Sequence, residues 1–179
     1  MHKNIVAIIG SASKDSSNLK LVQYIASIMS DDFSISIFNA LSTLPHFNPE
    51  QTDTNTPTEI TAIGKLIEEA DGILICTPEY VFSIPSGLKN LIEWCVYTAV
   101  FSKKPMGLIT ASAQGEKCHE ELQLIMRTVE ADFTEDTCLL IQGIKGKIDL
   151  NGVLRSEELK TELHTFVEYF ENRIQQTPN

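Results

Sequence analysis

The chain has 179 residues, of which 42% are hydrophobic and 21% charged, and its formal net charge is −10. These values are typical of a soluble globular protein, and the length suits one domain over residues 1–179. The acidic balance argues against nucleic-acid binding, which depends on Lys and Arg. We expect no membrane partner and a cytoplasmic protein, because no apolar run has transmembrane length and the first residues lack a signal-peptide pattern.

The first part of the chain alternates apolar runs with amphipathic segments. Residues 4–9 (NIVAII) predict a strand, and residues 18–29 predict a helix with apolar positions at i, i+3, i+4 and i+7. Residues 34–38 (SISIF) alternate as a short strand does. The polar stretch 39–55 is long for a loop in a compact domain, so we expect it to line a site.

The middle of the chain carries a clear helix-start signal. Thr56 is predicted as the N-cap of a second helix, with Pro57 at the first helical position and Glu59 completing a capping box. Residues 72–76 (GILIC) predict a buried strand. A third helix is expected to begin at residues 83–85 and to carry one apolar stripe, formed by Leu88, Leu91, Ile92, Cys95 and Ala99.

The last part of the chain continues the same alternation. Residues 106–109 (MGLI) and 137–141 (TCLLI) predict two further strands. A fourth helix is indicated between them by an apolar stripe at Leu122, Ile125, Met126 and Val129. The final helix is predicted to begin at Ser156, with two glutamates in its first turn.

Five strands thus alternate with five helices, which predicts a three-layer α/β/α fold with a parallel sheet. Right-handed crossovers and five strands favour the doubly wound, flavodoxin-like order 2-1-3-4-5. Ligands of such sheets bind at the carboxyl ends of the strands, beside the switch point between the first and the third strand of the chain. That rule nominates three loops, at residues 10–17, 77–83 and 110–117.

The first of these loops has the composition of a phosphate site. Residues 10–18 (GSASKDSSN) follow a strand and open a helix, and they supply hydroxyls, an amide and one cation. Hydroxyls and N–H groups at a helix N-terminus bind a phosphate without requiring net positive charge. The loop has neither the Walker pattern nor the G-x-G-x-x-G pattern. The alternative is a serine-rich cap of the first helix with no ligand.

The second loop brings aromatic side chains to the same edge. Residues 77–94 read TPEYVFSIPSGLKNLIEW, with prolines stiffening both ends. Tyr80 and Phe82 are suited to stacking on a flat ring, although they could equally cover the sheet edge. Glu79 is a weak candidate for a general base, since no His or second carboxylate stands near it in sequence.

These two motifs, GSASKDSSN at 10–18 and TPEYVFSIPSGLKNLIEW at 77–94, resemble those of the NADPH-dependent FMN reductase family. That family is flavodoxin-like and includes quinone, azo-compound and chromate reductases. The resemblance implies FMN as cofactor, NADPH or NADH as co-substrate, and a small electron acceptor such as a flavin or a quinone.

The resemblance also implies which residues contact FMN. Those of the first loop would surround the phosphate, those of the second the ribityl chain and isoalloxazine, and those of the third the other side of the ring. The implied cofactor-binding residues are Ser11, Ser13, Lys14, Ser16, Ser17, Asn18, Pro78, Glu79, Tyr80, Val81, Phe82, Ser112, Ala113, Gln114 and Gly115.

This chain departs from the family pattern at three places. Ser13 stands where the family usually has Arg, so Lys14 is expected to be the nearby cation and phosphate binding to be weaker. Val81 replaces the usual Asn and loses a polar contact. The third loop is usually rich in glycine, whereas here Gln114 or Glu116 is expected to crowd the ring.

No catalytic residue and no metal ligand are predicted, because flavin reduction by a nicotinamide needs binding and orientation rather than a nucleophile–base pair. The first hypothesis is therefore an NAD(P)H-dependent FMN or quinone reductase. A flavodoxin-like electron carrier is the second. A degenerate family member with weak FMN binding and an interaction role is the third.

The remaining chemistry-bearing residues receive structural interpretations. The cysteines lack C-x-x-C spacing, and Cys76, Cys95 and Cys138 are expected to be small buried hydrophobes. The four histidines are interpreted as surface or capping residues. Aromatic residues near the end of the third helix predict an oligomer interface in a homodimer or homotetramer, and they are Trp94, Tyr97 and Phe101.

Overall fold

The structure is a computed structural model that describes residues 2–52 and 55–177. Its strands are β1 (Lys3–Ile9), β2 (Phe33–Phe38), β3 (Gly72–Thr77), β4 (Met106–Ser112) and β5 (Cys138–Gln142). Its helices are α1 (Ser17–Ile28), α2 (Thr58–Glu69), α3 (Ser86–Cys95), α4 (Glu116–Thr128), α5 (Ile144–Lys147) and α6 (Glu157–Gln176). The short α5 was not predicted, because four residues containing Gly146 read as part of a turn.

The five strands form one parallel sheet in the order β2-β1-β3-β4-β5, which confirms the predicted flavodoxin-like topology. The central strands are buried along nearly their whole length, as expected when helices cover both faces. Ile9 of β1 pairs with Cys76 of β3, and Thr77 of β3 pairs with Thr110 of β4. This register brings the three loops that follow these strands to one edge of the sheet.

Alternate side chains of the sheet enter two separate cores. On one face, Ile5 and Ile9 pack with residues of α1, α5 and α6. On the other face, Val6 and Ile8 pack with residues of α2, α3 and α4. Because α1 and α4 lie on opposite faces, the edge between their N-termini is open at the carboxyl ends of β1, β3 and β4.

Two helix boundaries differ from the sequence prediction. Thr56 does not cap α2, because its hydroxyl donates to the carbonyls of Gln51 and Thr52, and Pro57 is the N-cap without a side-chain cap. The predicted capping box is therefore wrong. The α3 stripe was extended too far, since the helix ends at Cys95 and Ala99 is exposed with a positive φ of 51°.

The described residues of the polar stretch 39–55 do not line the loops at the switch point. Their contact with these loops is one hydrogen bond, from Asn39 to the first loop. The stretch forms two 3-10 turns and packs on α3: the Phe47 N–H donates to Asn90 Oδ1 at 2.7 Å, and Trp94 Nε1 donates to the Pro45 carbonyl at 2.9 Å. Asn39 Nδ2 donates to the Lys14 carbonyl at 3.2 Å and so supports the first loop. Asp53 and Thr54 of this stretch lie outside the described residues.

The aromatic residues assigned to an oligomer interface are mostly used within the chain. Trp94 is 2% exposed and Phe101 is 1% exposed, so neither is available to a partner. The Trp94 ring lies edge-on to Phe47, with centroids 5.2 Å apart. Only Tyr97 of the three remains exposed, beside the exposed Val96.

Candidate functional site

The loops that follow β1, β3, β4 and β5 enclose a cavity of about 650 Å³, within the range of small-molecule sites. It lies at the switch point, where ligands of doubly wound sheets bind. Its lining residues are Ser11, Ser13, Asp15, Ser16, Ser17, Asn18, Pro78, Glu79, Tyr80, Ala111, Ser112, Ala113, Gly143, Ile144, Lys145 and Gly146.

Most of the residues predicted from the sequence line this cavity, from all three loops. Among the described residues, the predicted ones that stand outside its lining are Lys14, Val81, Phe82, Gln114 and Gly115. The lining residues that sequence reasoning missed are Asp15, Ala111, Gly143, Ile144, Lys145 and Gly146. A signal for the last four existed, because the loop after β5 also leaves the carboxyl edge of the sheet.

Gly10 starts the first loop where β1 and β3 run close together. Its N–H donates to the Cys76 carbonyl at 2.8 Å. A Cβ at this position would stand 2.2 Å from Thr77 Oγ1, so any side chain would push the strands apart. Glycine is therefore required for the ends of β1 and β3 to approach this closely.

The N-terminus of α1 presents free donors to the cavity. The first N–H groups of a helix have no intrahelical acceptor. Here the Ser16 hydroxyl accepts from the Leu19 N–H at 3.1 Å, and the Lys20 N–H donates to the Ser16 carbonyl. Within the described part of the chain this leaves the N–H groups of Ser17 and Asn18 without an acceptor. The positive end of the helix dipole adds to their attraction for an anion.

The side chain of Asn18 is not one of these free donors. It is 4% exposed, its Nδ2 donates to the Ala111 carbonyl at 3.3 Å, and its Oδ1 accepts from the Cys76 thiol at 3.3 Å. The amide thus fastens the first turn of α1 to the ends of β3 and β4. The phosphate contact that the resemblance implies for Asn18 would therefore come from its backbone N–H.

Glu79 is held as a helix cap rather than as a base. Its Oε1 accepts from the Gly115 N–H at 3.3 Å and its Oε2 accepts from the Cys118 N–H at 3.0 Å. These are orphan donors at the N-terminus of α4, where a carboxylate is also favoured by the helix dipole. Both carboxylate oxygens are engaged, so the side chain joins the second loop to the third.

The tip of the second loop is a strained turn. Tyr80 and Ser83 exchange two backbone hydrogen bonds, of 3.0 and 3.1 Å, around Val81 and Phe82. These two residues have φ values of 53° and 58°, the left-handed conformation that suits Asn and Gly. It costs roughly 1–2 kcal/mol for each ordinary L-residue. Their side chains are exposed, while Tyr80 turns inward and its hydroxyl lies 3.3 Å from Ser11 Oγ.

The third loop leaves the cavity free of the crowding expected from its side chains. Gln114 is outside the lining, and Glu116 turns away, with its Oε1 accepting from Gln142 Nε2 at 3.2 Å. Gly115 takes a φ of 97°, and a Cβ there would stand 3.0 Å from Leu140 Cδ1. Neither Gln114 nor Glu116 lines the cavity, which argues against the expected crowding of a ring bound there.

Two charged residues missed by the sequence prediction set the electrostatics of the cavity. Asp15 is paired with Lys20, with Nζ and Oδ1 3.0 Å apart, so its charge is partly compensated. Lys145, on α5, lines the cavity, and among the described residues it has no carboxylate partner. The cation at this site is thus Lys145 rather than Lys14.

His119 contradicts the interpretation of all four histidines as surface or capping residues. It is partly buried on α4, with Nδ1 3.0 Å from Oγ1 of the fully buried Thr110. Burial lowers the pKa of His119 below its ordinary value of 6.5. His2, His46 and His164 are exposed.

This lowered pKa predicts a loss of stability on mild acidification. The unfolded chain binds a proton at His119 more readily than the folded chain does. The free energy of unfolding is therefore unaffected by this group above about pH 6.5, and it decreases as the pH drops below that value. Urea unfolding at pH 7.5 and 5.5 measures the effect. We expect a smaller loss in His119→Gln than in wild type. The exposed-site control His164→Gln should behave as wild type, and equal losses in all three would contradict this role of His119.

The cysteines have the inert character expected of buried hydrophobes, with one at intermediate exposure. Cys76, Cys95 and Cys118 are buried, and Cys138 is partly so. Burial raises the pKa of Cys95 to about 12, and that of the Cys118 thiol likewise to about 12. Thiols with such a raised pKa are poor nucleophiles at neutral pH.

Across residues 2–52 and 55–177, no cluster of three or more His, Cys, Asp or Glu side chains has a metal-binding arrangement. In the same ranges, no helix combines the length and apolarity needed to cross a bilayer.

The sheet order and the switch-point cavity define a flavodoxin-like α/β protein. Residues 3–143 match the family model described as NADPH-dependent FMN reductase. The chain therefore belongs to the NADPH-dependent FMN reductase family, and it is an oxidoreductase of the FMN-dependent, NAD(P)H-dependent type.

Comparisons with individual proteins agree with this assignment. The chain is 30% identical over 176 residues to a 2-hydroxy-1,4-benzoquinone reductase of Burkholderia sp, covering 95% of each chain. It is 26% identical over 151 residues to a quinone reductase of Escherichia coli K12, covering 81% and 80%. The structure of FerB, an NAD(P)H:(acceptor) oxidoreductase from Paracoccus denitrificans, superposes with a TM-score of 0.80 at 23% identity, covering 97% and 98%, and shares the fold.

Proposed function

We propose that the switch-point cavity binds FMN with its phosphate at the N-terminus of α1. The observation that carries the proposal is that Ser17 and Asn18 line the cavity and that their N–H groups have no acceptor among the described residues. The hydroxyls of Ser13 and Ser17 complete a donor set suited to a dianion, and Lys145 adds charge. A phosphate held in this way needs no arginine at position 13.

The ring system of FMN fits the part of the cavity between the second and third loops. Pro78 and Tyr80 of the second loop and Ser112 and Ala113 of the third loop line this part of the cavity. Tyr80 is 42% exposed, so its aromatic face is accessible at the mouth. Bound FMN would supply hydride chemistry between a nicotinamide and an acceptor, while these residues bind and orient it. Glu79 takes no proton in this scheme, because both of its oxygens cap α4.

For the electron acceptor we propose a small quinone. The support is the name of the relative that covers 95% of the chain, a benzoquinone reductase.

We also propose a cytoplasmic homodimer or homotetramer, whose support in the structure is reduced to the exposed Val96 and Tyr97 at the end of α3. Light scattering at micromolar concentration tests the assembly, and a monomer would contradict it.

The experiment that tests the proposed function is a titration followed by turnover. Purified protein is titrated with FMN while flavin fluorescence is recorded, and then NADH or NADPH is added with benzoquinone while nicotinamide absorbance is followed. We expect saturable FMN binding and quinone-dependent nicotinamide oxidation. Protein that binds no FMN refutes the proposed function, and FMN binding without nicotinamide oxidation would instead support an electron carrier.

Lys145 provides a prediction that separates the structure from the sequence pattern. We expect Lys145→Ala to weaken FMN binding about tenfold at low salt, because a charge-assisted contact to the phosphate is lost. The matched control is Lys14→Ala, which removes the cation that the sequence nominated but that lies outside the cavity lining. Riboflavin, which lacks the phosphate, should bind both variants as it binds wild type. A larger effect of Lys14→Ala would contradict the assignment.

A further inference from the structure

Glu121, on α4, lies outside the cavity but contacts the loop that forms its wall. Its Oε2 accepts two hydrogen bonds, from Ser83 Oγ at 2.7 Å and from the Ile84 N–H at 2.9 Å. Both donors immediately follow the tip of the second loop. Hydrogen bonds to a carboxylate are shorter and stronger than those between neutral groups. The proposed function assigns this carboxylate no part.

The segment that Glu121 holds has an unfavourable backbone. Val81 and Phe82 both take positive φ values, and a β-branched residue such as Val81 is rare in this conformation. The two backbone hydrogen bonds of the turn, between Tyr80 and Ser83, are those of any two-residue hairpin. Two non-glycine residues in the left-handed region therefore need support from outside the turn, and Glu121 supplies it.

The segment 79–84, which contains the strained turn, is also attached to α4 at its N-terminal end. Glu79 precedes the turn and accepts hydrogen bonds from the N-terminal N–H groups of the helix, whereas Glu121 belongs to the helix and accepts from the residues after the turn. Tyr80 lies between the two attachments. It lines the cavity, and its hydroxyl reaches Ser11 of the first loop. The segment that carries Tyr80 is thus attached to α4 on both sides.

We propose that Glu121 is a positioning residue, which keeps the turn at 80–83 in its left-handed form and so places Tyr80 against the flavin ring. The inference rests on the proposed function, because it takes the cavity as the FMN site. It deepens that function by naming a residue that acts through the loop and not through contact with the ligand.

The test compares Glu121→Ala with Glu120→Ala. The control removes the same charge from the preceding residue of α4, Glu120, whose carboxylate is exposed and pairs with Lys117. Amide hydrogen exchange of Ser83 and Ile84 is measured on flavin-free protein, and FMN and riboflavin affinities are then measured. We expect exchange at least about tenfold faster in Glu121→Ala, and both affinities about tenfold weaker, because the ring contact is common to the two flavins. Glu120→Ala should match wild type in every measurement.

A rescue variant separates positioning from a general loss of structure. Val81→Asn and Phe82→Gly introduce the residue pair that favours this turn without outside support. Added to Glu121→Ala, they should restore slow exchange of the Ser83 N–H, which donates to the Tyr80 carbonyl, and restore flavin affinity to within about threefold of wild type. The Ile84 N–H, which loses its acceptor with Glu121, should still exchange fast in the rescued variant.

Three outcomes decide the matter. Fast exchange of both N–H groups with weakened flavin binding, followed by recovery of Ser83 exchange and of flavin affinity with the rescue pair, supports the role of Glu121. Equal exchange and equal flavin affinity in Glu121→Ala and Glu120→Ala overturns it, as does a folded rescue variant that remains weak. If the wild-type protein itself binds neither flavin, the proposed function fails, which is distinct from a failure at Glu121.

Discussion

In the Ser17→Asp variant we expect FMN to bind at least about 100-fold more weakly than in wild type, with riboflavin affected much less. Ser17 is the first residue of α1, and it lines the cavity where the phosphate is proposed to lie. Two unit charges of like sign roughly 4 Å apart near a protein surface repel by about 4 kcal/mol, before screening by salt. The effect therefore depends on the phosphate and on ionic strength, and a fluorescence titration with both flavins measures it.

The same substitution should leave the protein folded, because a carboxylate in the first turn of a helix is favourable. The thermal midpoint of Ser17→Asp is therefore expected to be equal to or above that of wild type. Thr58→Asp is the matched control, since Thr58 opens α2 and lies outside the cavity lining. FMN binding of wild-type strength in Ser17→Asp would place the phosphate elsewhere and remove the main support for the proposed site.

The largest expected loss of stability is in Phe170→Ala, at about 3–5 kcal/mol. Phe170 is fully buried on α6, and it covers two glycines of the sheet. A Cβ at Gly72 or at Gly107 would stand 3.4 Å from its ring atoms. The ring thus shares with Ile174 and Phe166 the space beside these glycines, and its removal opens a cavity in the core shared by α1 and α6.

Tyr169→Ala is the control for this prediction, because Tyr169 is the preceding residue of α6 and is 47% exposed. Urea unfolding should show a loss below about 1.5 kcal/mol for the control. At this chain length, the loss in Phe170→Ala corresponds to a fall in the thermal midpoint of roughly 10 °C. A Phe170→Ala variant as stable as Tyr169→Ala would show that this ring does not support the sheet.

The acidic character of the chain is compatible with the proposed phosphate binding, because the local arrangement of charges and donors at α1 differs from the average over the chain. The formal net charge is −10, yet the cavity holds two free N–H groups, several hydroxyls and Lys145. Asp15 is offset by Lys20, and Glu79 is offset by the N-terminus of α4. Short-range dipoles outweigh a distant net charge, since salt screens charges more than about 10 Å away.

The sequence prediction was most successful where the signal is local. Hydrophobic periodicity placed all five strands and five of the helices, because burial on one or two faces imposes a short repeat on each element. The serines of the first loop were recognised because a strand ended and a helix began around them. The capping box at Thr56 failed, since its hydroxyl found carbonyl partners in the preceding turn instead.

The sequence was least informative about which side chains remain free at the site. Asn18 and Glu79 both line the cavity, as predicted, but their polar atoms are used by Ala111, Cys76, Gly115 and Cys118. Each of these partners is at least 36 residues away along the chain. No short motif encodes a contact over such a separation.

The sequence alone therefore determined the order of the strands and main helices, the parallel sheet and the position of the serine-rich loop at 11–18 at the switch point, all of which follow from local patterns and the rules of right-handed crossover. Only the tertiary structure decided that Lys145 and not Lys14 lines the site, that Glu79 caps α4, and that Glu121 accepts hydrogen bonds from the two residues after the strained turn. The reason is that charge pairing and hydrogen bonding depend on where distant segments meet, and these meetings are fixed by the packing of α4 and α5 against the sheet.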